Sequence, residues 1–405
     1  MSLIRRLFST NNIPTTFPQP KRIVNLSAGC AALPIEVLEK AQKLFLSPLG
    51  KDISVCEMGY RTADFHVLMD QAEESFRKLN NIPDNYEVHF FNGGATLQFA
   101  AIPMNLLGSS GHKKATYMMS GHWSEKSVKE AKMYTTNVHK ACVDPTGLYF
   151  DYPSGKDWNI PSDSVYVHYT AADTRQGFEF QDFDYSAIPK GVELICDASA
   201  NLGSKPVDIS KYGVIYAAAH KIFSTSGVCY TIIRKDLIKP DVHPCTPTMC
   251  NWSVFQNAPN KIHNVPVIFA IWLGHLTCEY MIERGGLPYY EQLAIDRSNL
   301  LYNYIDESNG FYRTFVNDIK YRSRMQVVFT IGSGEGKNAI LVEKFLKATA
   351  DMGWLDVRSH PLGISTDAIR ITMYSHQPIE VVGYIRDFMR KFQQENMVGF
   401  DANSK

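Results

Sequence analysis

Two residues in this chain could act together. Asp197 closes the apolar run Leu194-Ile195-Cys196, and Lys221 follows the next one, Val214 to Ala219, with His220 between. Short continuous apolar runs mark strands covered on both faces, as in a parallel sheet, and ligands of such sheets gather at the carboxyl ends of the strands. An acid and an amine delivered to one cleft suit pyridoxal phosphate. The amine bonds the aldehyde, and the carboxylate pairs with the pyridinium nitrogen so that the ring can accept electrons. Taken singly, a lysine at a strand end is ordinarily a solvated surface residue and an aspartate there a turn or helix cap. The apolar setting of both together favours the cofactor reading. Burial would keep Lys221 from behaving as a free ammonium, and a pyridinium beside Asp197 would depress its pKa.

Two further features fit the same chemistry. Asn92-Gly93-Gly94-Ala95-Thr96 lies between a strand pattern and a helix pattern, where small residues and free helix N–H groups can cradle a phosphate. Trp123 opens the following helix and could stack on a planar ring, although a core tryptophan is the common alternative. Gly332-Ser-Gly-Glu-Gly-Lys337-Asn338 superficially resembles a nucleotide-binding loop, but its spacing is wrong and Asn338 stands where a magnesium-binding hydroxyl would be needed. It reads as a plain loop.

The elements that must hold these residues follow from periodicity. Helical patterns cover 34–47 and 64–80, a strand covers 86–91, and strands and helices then alternate to about residue 235, with strands at 115–119, 165–170, 192–196, 213–218 and 228–233. Such alternation predicts an α/β fold with a mostly parallel sheet wrapped by helices. A proline-rich stretch, 240–266, precedes a long helix at 267–284. Beyond 290 the helix and strand patterns indicate a smaller α+β domain. The division expected is a leader at 1–22, a large domain at 23–289, a small domain at 290–395 and a polar tail at 396–405.

Composition narrows the function. The chain has 405 residues, 41 basic and 41 acidic, with 45% hydrophobic content. This balance argues against a nucleic-acid or acidic-membrane partner, and no apolar run approaches the roughly 20 residues needed to cross a bilayer. Eight cysteines form no C-x-x-C pair, which suggests buried thiols in a reducing compartment. The first twelve residues carry Arg5, Arg6 and several hydroxyls, and no acid precedes Glu36. That pattern suggests a mitochondrial-matrix transit peptide, the alternative being a cytoplasmic protein with a polar tail.

Several ordered segments carry a resemblance. Ala28–Pro34, Ile53–Arg61, Gly93–Ala101, Trp123–Lys132, Val167–Tyr169, Pro206–Gly213 and Ala217–Lys221 resemble the phosphoserine aminotransferases, class V, fold-type I pyridoxal-phosphate enzymes. The resemblance runs from about 22 to 395. It implies transamination between glutamate and 3-phosphohydroxypyruvate, Lys221 as the Schiff-base lysine and Asp197 as the ring-nitrogen partner. It further implies Trp123 over the ring, Thr174 near the ring hydroxyl, and Ala95, Thr96 and His220 at the cofactor phosphate. A homodimer is implied, with Asn264 reaching the neighbouring subunit's cofactor. Val265 replaces that family's threonine and cannot donate a hydrogen bond. For the substrate, the resemblance implies Arg61, His360 and Arg370, the last at the α-carboxylate. Two His-Arg pairs of that family read Tyr60-Arg61 and His360-Pro361 here, Ala172 replaces a commonly polar residue, and Arg358 could compensate. These departures favour, as alternatives, another 2-oxo acid or a degenerate structural homologue.

Overall fold

The computed structural model describes residues 16–332, 337–357, 359–360 and 368–397. The leader through 15, most of the loop 332–338, Arg358, Pro361 and the tail from 398 lie outside the described residues.

Helices α1 (Ile35–Leu44) and α2 (Ala63–Asn80) precede strand β1 (Tyr86–Asn92). Helix α2 forms because Thr62 accepts a hydrogen bond from the Phe65 N–H and because Phe65, Leu68, Ala72, Phe76 and Leu79 place a buried stripe on one face, at the spacing an amphipathic helix requires. It ends at Asn81, whose left-handed conformation (φ 50°) donates back to Arg77. There follow α3 (Gly94–Leu106), β2 (Lys114–Met118), α4 (His122–Ala131), β3 (Val138–Ala141), β4 (Ser164–Thr170), the short hairpin β5 (Ala172–Asp173) and β6 (Phe178–Glu179), β7 (Glu193–Asp197), β8 (Val214–Ala218) and β9 (Val228–Arg234).

Seven of these strands form one sheet in the order β1-β9-β8-β7-β4-β2-β3. Strand β9 runs antiparallel to both neighbours and the remaining pairings are parallel. Every residue of β8 is buried, because helices cover both faces. Helix α5 (Trp252–Asn257) occupies part of the proline-rich stretch, and α6 (Ile268–Glu283) packs beside α2 and α1. Gly274 in α6 is required by close approach: a Cβ there would lie on the Tyr230 hydroxyl of β9.

Helix α7 (Gly286–Asp306) leads to β10 (Tyr312–Thr314), β11 (Gln326–Ile331), α8 (Lys337–Asp351), β12 (Ser359–His360), β13 (Ala368–Thr372) and α9 (Ile379–Asn396). The four strands form an antiparallel sheet ordered β10-β11-β13-β12, with its own core of Phe329, Ile331, Phe345, Ile369, Ile371 and Phe392 among others. Val24 and Leu26 belong to this second core, and Asn25 pairs with Leu355. The segment entering the expected large domain therefore packs on the smaller unit.

Polar contacts fix the two units together. Buried Glu179 of β6 accepts from Asn201 Nδ2 (3.2 Å), Ser323 Oγ (3.0 Å) and the Arg324 N–H (2.8 Å). After β13, Ser375 Oγ donates to the Gly203 carbonyl (3.0 Å) and His376 Nε2 to the Ile222 carbonyl (2.8 Å). The fully buried Arg297 of α7 donates through Nη1 to the carbonyls of Tyr374, Ser375 and Gln377. This bracing holds β13 against the turn that carries Lys221. All eight cysteines are free thiols, five of them buried.

Candidate active site

The site begins where β7 and β8, neighbours in the sheet, end side by side. Asp197 is the last residue of β7, in register with Tyr216 of β8 and Thr170 of β4. Its Oδ1 accepts the Ser199 N–H at 3.0 Å, and Ser199 Oγ in turn accepts the Ala218 N–H at 3.0 Å. Ser199 thus ties the carboxylate to the exit of β8. Lys221 ends a single helical turn, Ala219–Lys221, immediately beyond β8. The Ala31 N–H holds that turn through the His220 carbonyl at 3.1 Å.

Both groups are buried, Asp197 at 5% and Lys221 at 9% exposure. Burial raises the Asp197 pKa against the opposing pull of Lys221, and lowers that of Lys221 against the attraction of Asp197 and Asp173, with Arg370 adding to the lowering. The lysine behaves as expected. Within the protein alone, removal from water outweighs the pull of Lys221 on Asp197, and the depressed pKa expected of Asp197 is one that a pyridinium beside it would produce. A cationic ring nitrogen is the kind of partner that would restore its charge.

Trp123, in the first turn of α4, faces the lysine with Nζ 5.7 Å from the ring centroid. Its indole Nε1 donates to Thr174 Oγ1 at 3.2 Å, and its backbone N–H donates to Asp173 Oδ2 at 3.0 Å. Thr174 sits at the tip of the β5–β6 hairpin, and its carbonyl accepts from Arg370 Nη1 of β13 at 3.2 Å. Ala172 is buried in β5. Lys221, Asp197, Trp123, Thr174 and Arg370 are therefore joined in one cluster built from both sheets.

The expected phosphate cradle lies at the end of β1, where Gly93 (φ 101°) and Gly94 (φ 67°) adopt left-handed conformations that side chains rarely tolerate. Ala95 and Thr96 form the first turn of α3, with Thr96 exposed. Nearby, Asn92 Nδ2 donates to the Val265 carbonyl at 3.0 Å, and Asn264 Nδ2 donates to the same carbonyl at 3.3 Å. The Val265 side chain is exposed. His220 is half-buried, and burial together with Lys221 lowers its pKa to about 4, so its imidazole is neutral. Arg61 stands exposed before α2 with its guanidinium 4.4 Å from the Tyr60 ring centroid. His360 lies on β12 opposite Ala368.

Three residues of this site were missed in the sequence. Asp173 is fully buried, accepts the N–H groups of Trp123 and Arg175 (each 3.0 Å), and has a pKa raised by burial to about 6. Like Asp197, it is an acid shortly after a buried strand, and that signal could have found it. His122 and Arg175 flank Trp123 and Thr174 in sequence, and Arg175 Nη1 lies 3.0 Å from His122 Nδ1. As single residues without periodic context, they gave no signal.

A family model described as aminotransferase class-V matches residues 23–352. The chain belongs to the class-V aminotransferases. It is 38% identical over 381 residues to the phosphoserine aminotransferase of Nitrosomonas europaea, covering 93% of this chain and 100% of that protein. It is likewise 38% identical to the chloroplastic phosphoserine aminotransferase 2 of Arabidopsis thaliana, over 94% of this chain and 86% of that protein. The solved phosphoserine aminotransferase of Bacillus circulans subsp. alkalophilus superimposes with a TM-score of 0.85 at 33% identity, covering 93% of this chain and 99% of that one. The pyridoxal-phosphate-bound enzyme of Trichomonas vaginalis superimposes with a TM-score of 0.83 at 30% identity, covering 91% of this chain and 100% of that one.

As a class-V aminotransferase the chain uses pyridoxal phosphate, and its residues fit that group. A buried amine shares its pocket with a buried carboxylate and an indole face, and the two left-handed glycines open the helix N-terminus beside them to a phosphate. Among the described residues no group of three or more metal-ligating side chains occurs, and no helix is long and apolar enough to cross a membrane.

Proposed function

We infer that this chain is a phosphoserine aminotransferase, exchanging an amino group between glutamate and 3-phosphohydroxypyruvate to give 2-oxoglutarate and phosphoserine, a step of serine biosynthesis. The observation that carries this reading is the cluster of Lys221, Asp197, Trp123, Thr174 and Arg370, in a chain alike along most of its length to enzymes of that name.

In this reading Lys221 would hold the aldehyde end of pyridoxal phosphate, Asp197 the ring nitrogen, Trp123 the ring face, Thr174 the ring hydroxyl, and Ala95, Thr96 and His220 the phosphate. When bound, the cofactor supplies a carbonyl for the substrate amine and an electron sink for the α-carbon. Lys221 Nζ is the group placed to take the α-proton as general base and return it as general acid. Burial lowers its pKa, which favours the neutral amine that role requires. Asp197 keeps a negative charge where the ring nitrogen must stay protonated. Arg370, held by the Thr174 carbonyl, is oriented to fork onto the substrate α-carboxylate. Burial of Lys221, at 9% exposure, limits the access of water to the amine.

Two further elements belong to the proposal. A homodimer is supported by exposed apolar side chains at Phe45, Leu46 and Val265, with Asn264 and Val265 on the rim of the cradle. Entry into the mitochondrial matrix is supported by the basic, hydroxyl-rich and acid-poor N-terminal sequence. The test of the activity is steady-state turnover with glutamate and 3-phosphohydroxypyruvate beside unphosphorylated 2-oxo acids. The reading expects the phosphorylated acid to be preferred, and saturation by unphosphorylated acids alone would refute it.

A further inference from the structure

We propose that Lys261 is a positioning residue for the cofactor phosphate: its ion bridges to Glu87 and Glu73 clamp the loop 259–266 onto β1 and α2, and so hold the Val265 carbonyl against Asn92, where the phosphate cradle begins. This rests on the reading of Asn92–Thr96 as that cradle and adds a residue outside it.

The argument starts from the turn that the clamp holds. Asn260 (φ 51°) and Lys261 (φ 60°) are consecutive non-glycine residues in the left-handed region, where the Cβ crowds the following carbonyl oxygen. Such a conformation persists only where its surroundings impose it, and its occurrence points toward a functional site. The main-chain bonds of the turn, Lys261 N–H to the Ala258 carbonyl (2.9 Å) and Ile262 N–H to the Pro259 carbonyl (3.1 Å), are internal to the loop. The lysine side chain ties it to the sheet. Its Nζ lies 2.5 Å from Glu87 Oε2 on β1 and 3.3 Å from Glu73 Oε1 on α2.

The acceptors are themselves held. Glu87 is buried, and its other oxygen, Oε1, lies 3.4 Å from Lys235 Nζ. Glu73 Oε1 also accepts from Arg77 Nε at 2.7 Å. Burial alone would raise the Glu87 pKa, but the hydrogen bond and charge of Lys261, with Lys235 and His89 adding, bring it below the ordinary value. The carboxylate therefore stays ionised. Well-packed apolar side chains would stabilise such a site as well or better. What the charged pair adds is a fixed direction, and a strained turn needs one.

The loop delivers that constraint to the cradle. Beyond Lys261, the Val265 carbonyl accepts from Asn92 Nδ2 at 3.0 Å and from Asn264 Nδ2 at 3.3 Å. Asn92 ends β1 and precedes the two left-handed glycines of the cradle. One strand thus carries both the anchor of the clamp and the docking point of the loop. A cavity of about 230 Å³ adjoins the loop, lined by Met69, Phe90, Phe255, Ile262 and Pro266 among others, so packing alone leaves the loop room to shift.

The test titrates the apoprotein with pyridoxal phosphate and, separately, with pyridoxal, which lacks the phosphate, following the visible band of each. Lys261→Met combined with Glu87→Gln removes the pair without leaving a buried charge unpaired. This double variant is expected to raise the Kd for pyridoxal phosphate about 10-fold, the effect of losing one ordered hydrogen bond, and to leave the Kd for pyridoxal unchanged. Adding Asn260→Gly recovers part of the loss, because glycine adopts the left-handed turn without strain. Lys261→Arg, which keeps the charge, loses less than the double variant. A lower Tm of the double-variant apoprotein with an unchanged Kd for pyridoxal phosphate would make Lys261 a stability residue only and overturn the proposal, as would equal weakening of both compounds. Wild-type protein that binds pyridoxal as tightly as pyridoxal phosphate would instead refute the cradle reading itself, and the proposal with it.

Discussion

The cofactor end and the rim of this site are built by different means. At the cofactor end, Asp197 and Lys221 leave adjacent strands of the seven-stranded sheet, both buried, and their carbon frameworks are fixed by main-chain bonds through Ser199 and Ala31. At the rim of the site, Arg175, His122 and Arg61 are more exposed and stand on a hairpin tip, a helix start and a loop. Strand ends in a packed sheet allow few alternatives, because moving them disturbs a core. Hairpin tips and loops can exchange side chains with little effect on the fold. The contrast explains how a chain can keep the chemistry of its family at the strand ends while its rim residues vary.

Breaking the cofactor end should have the largest consequences. Lys221→Ala removes the only amine in the cluster placed to move the α-proton. It should lower kcat by about 10³- to 10⁴-fold or more and abolish the lysine-dependent visible band with added pyridoxal phosphate. A retained band would contradict the assignment. Asp197→Asn leaves the shape and removes the charge. Loss of one partner from a buried charge pair suggests a fall of roughly 10²- to 10³-fold in kcat/KM, measurable by steady-state kinetics and cofactor titration.

A smaller effect probes the joint between the two ends. Gly121 has φ 142°, and a Cβ there would come within 2.7 Å of the Asp173 carboxylate and Gln176 Oε1. Gly121→Ala should therefore cost about 1–3 kcal/mol of stability and disturb Trp123, seen as a lower Tm and altered tryptophan fluorescence. An unchanged Tm would show that the hairpin yields.

The smallest effect concerns pH. Asp173 has its pKa raised from 3.8 to about 6, so the folded apoprotein binds the proton more tightly than the unfolded chain. This group's contribution then makes stability fall as pH rises from about 4 to about 6. Asp173→Asn should flatten that fall in chemical-denaturation midpoints measured across the interval. An unaltered slope would mean that the carboxylate stays ionised.

Much of the frame was legible because burial on both faces writes continuous apolar runs. Leu194 to Cys196 and Val214 to Ala219 announced β7 and β8, and the two chemical residues followed from their ends. The edge strand β3 was not foreseen because only its last residue is buried. Strands β10 and β12 and helix α5 were missed because two to six residues give too little period to read. The cluster of Trp123 with Thr174 and Arg370 rested on resemblance, since only tertiary packing brings α4, the hairpin and β13 together. Asp173 was readable from the signal that found Asp197, while His122 and Arg175 acquire meaning only through their contact across the hairpin.

The central claim is a Lys221-dependent transaminase selective for a phosphorylated substrate. Its most direct test is the half-reaction of purified protein reconstituted with pyridoxal phosphate, followed by visible absorbance as O-phosphoserine is added. The account predicts that O-phosphoserine converts the spectrum at far lower concentration than serine or alanine, that 3-phosphohydroxypyruvate reverses the change, and that Lys221→Ala shows neither. Conversion by unphosphorylated amino acids with no response to O-phosphoserine would contradict it.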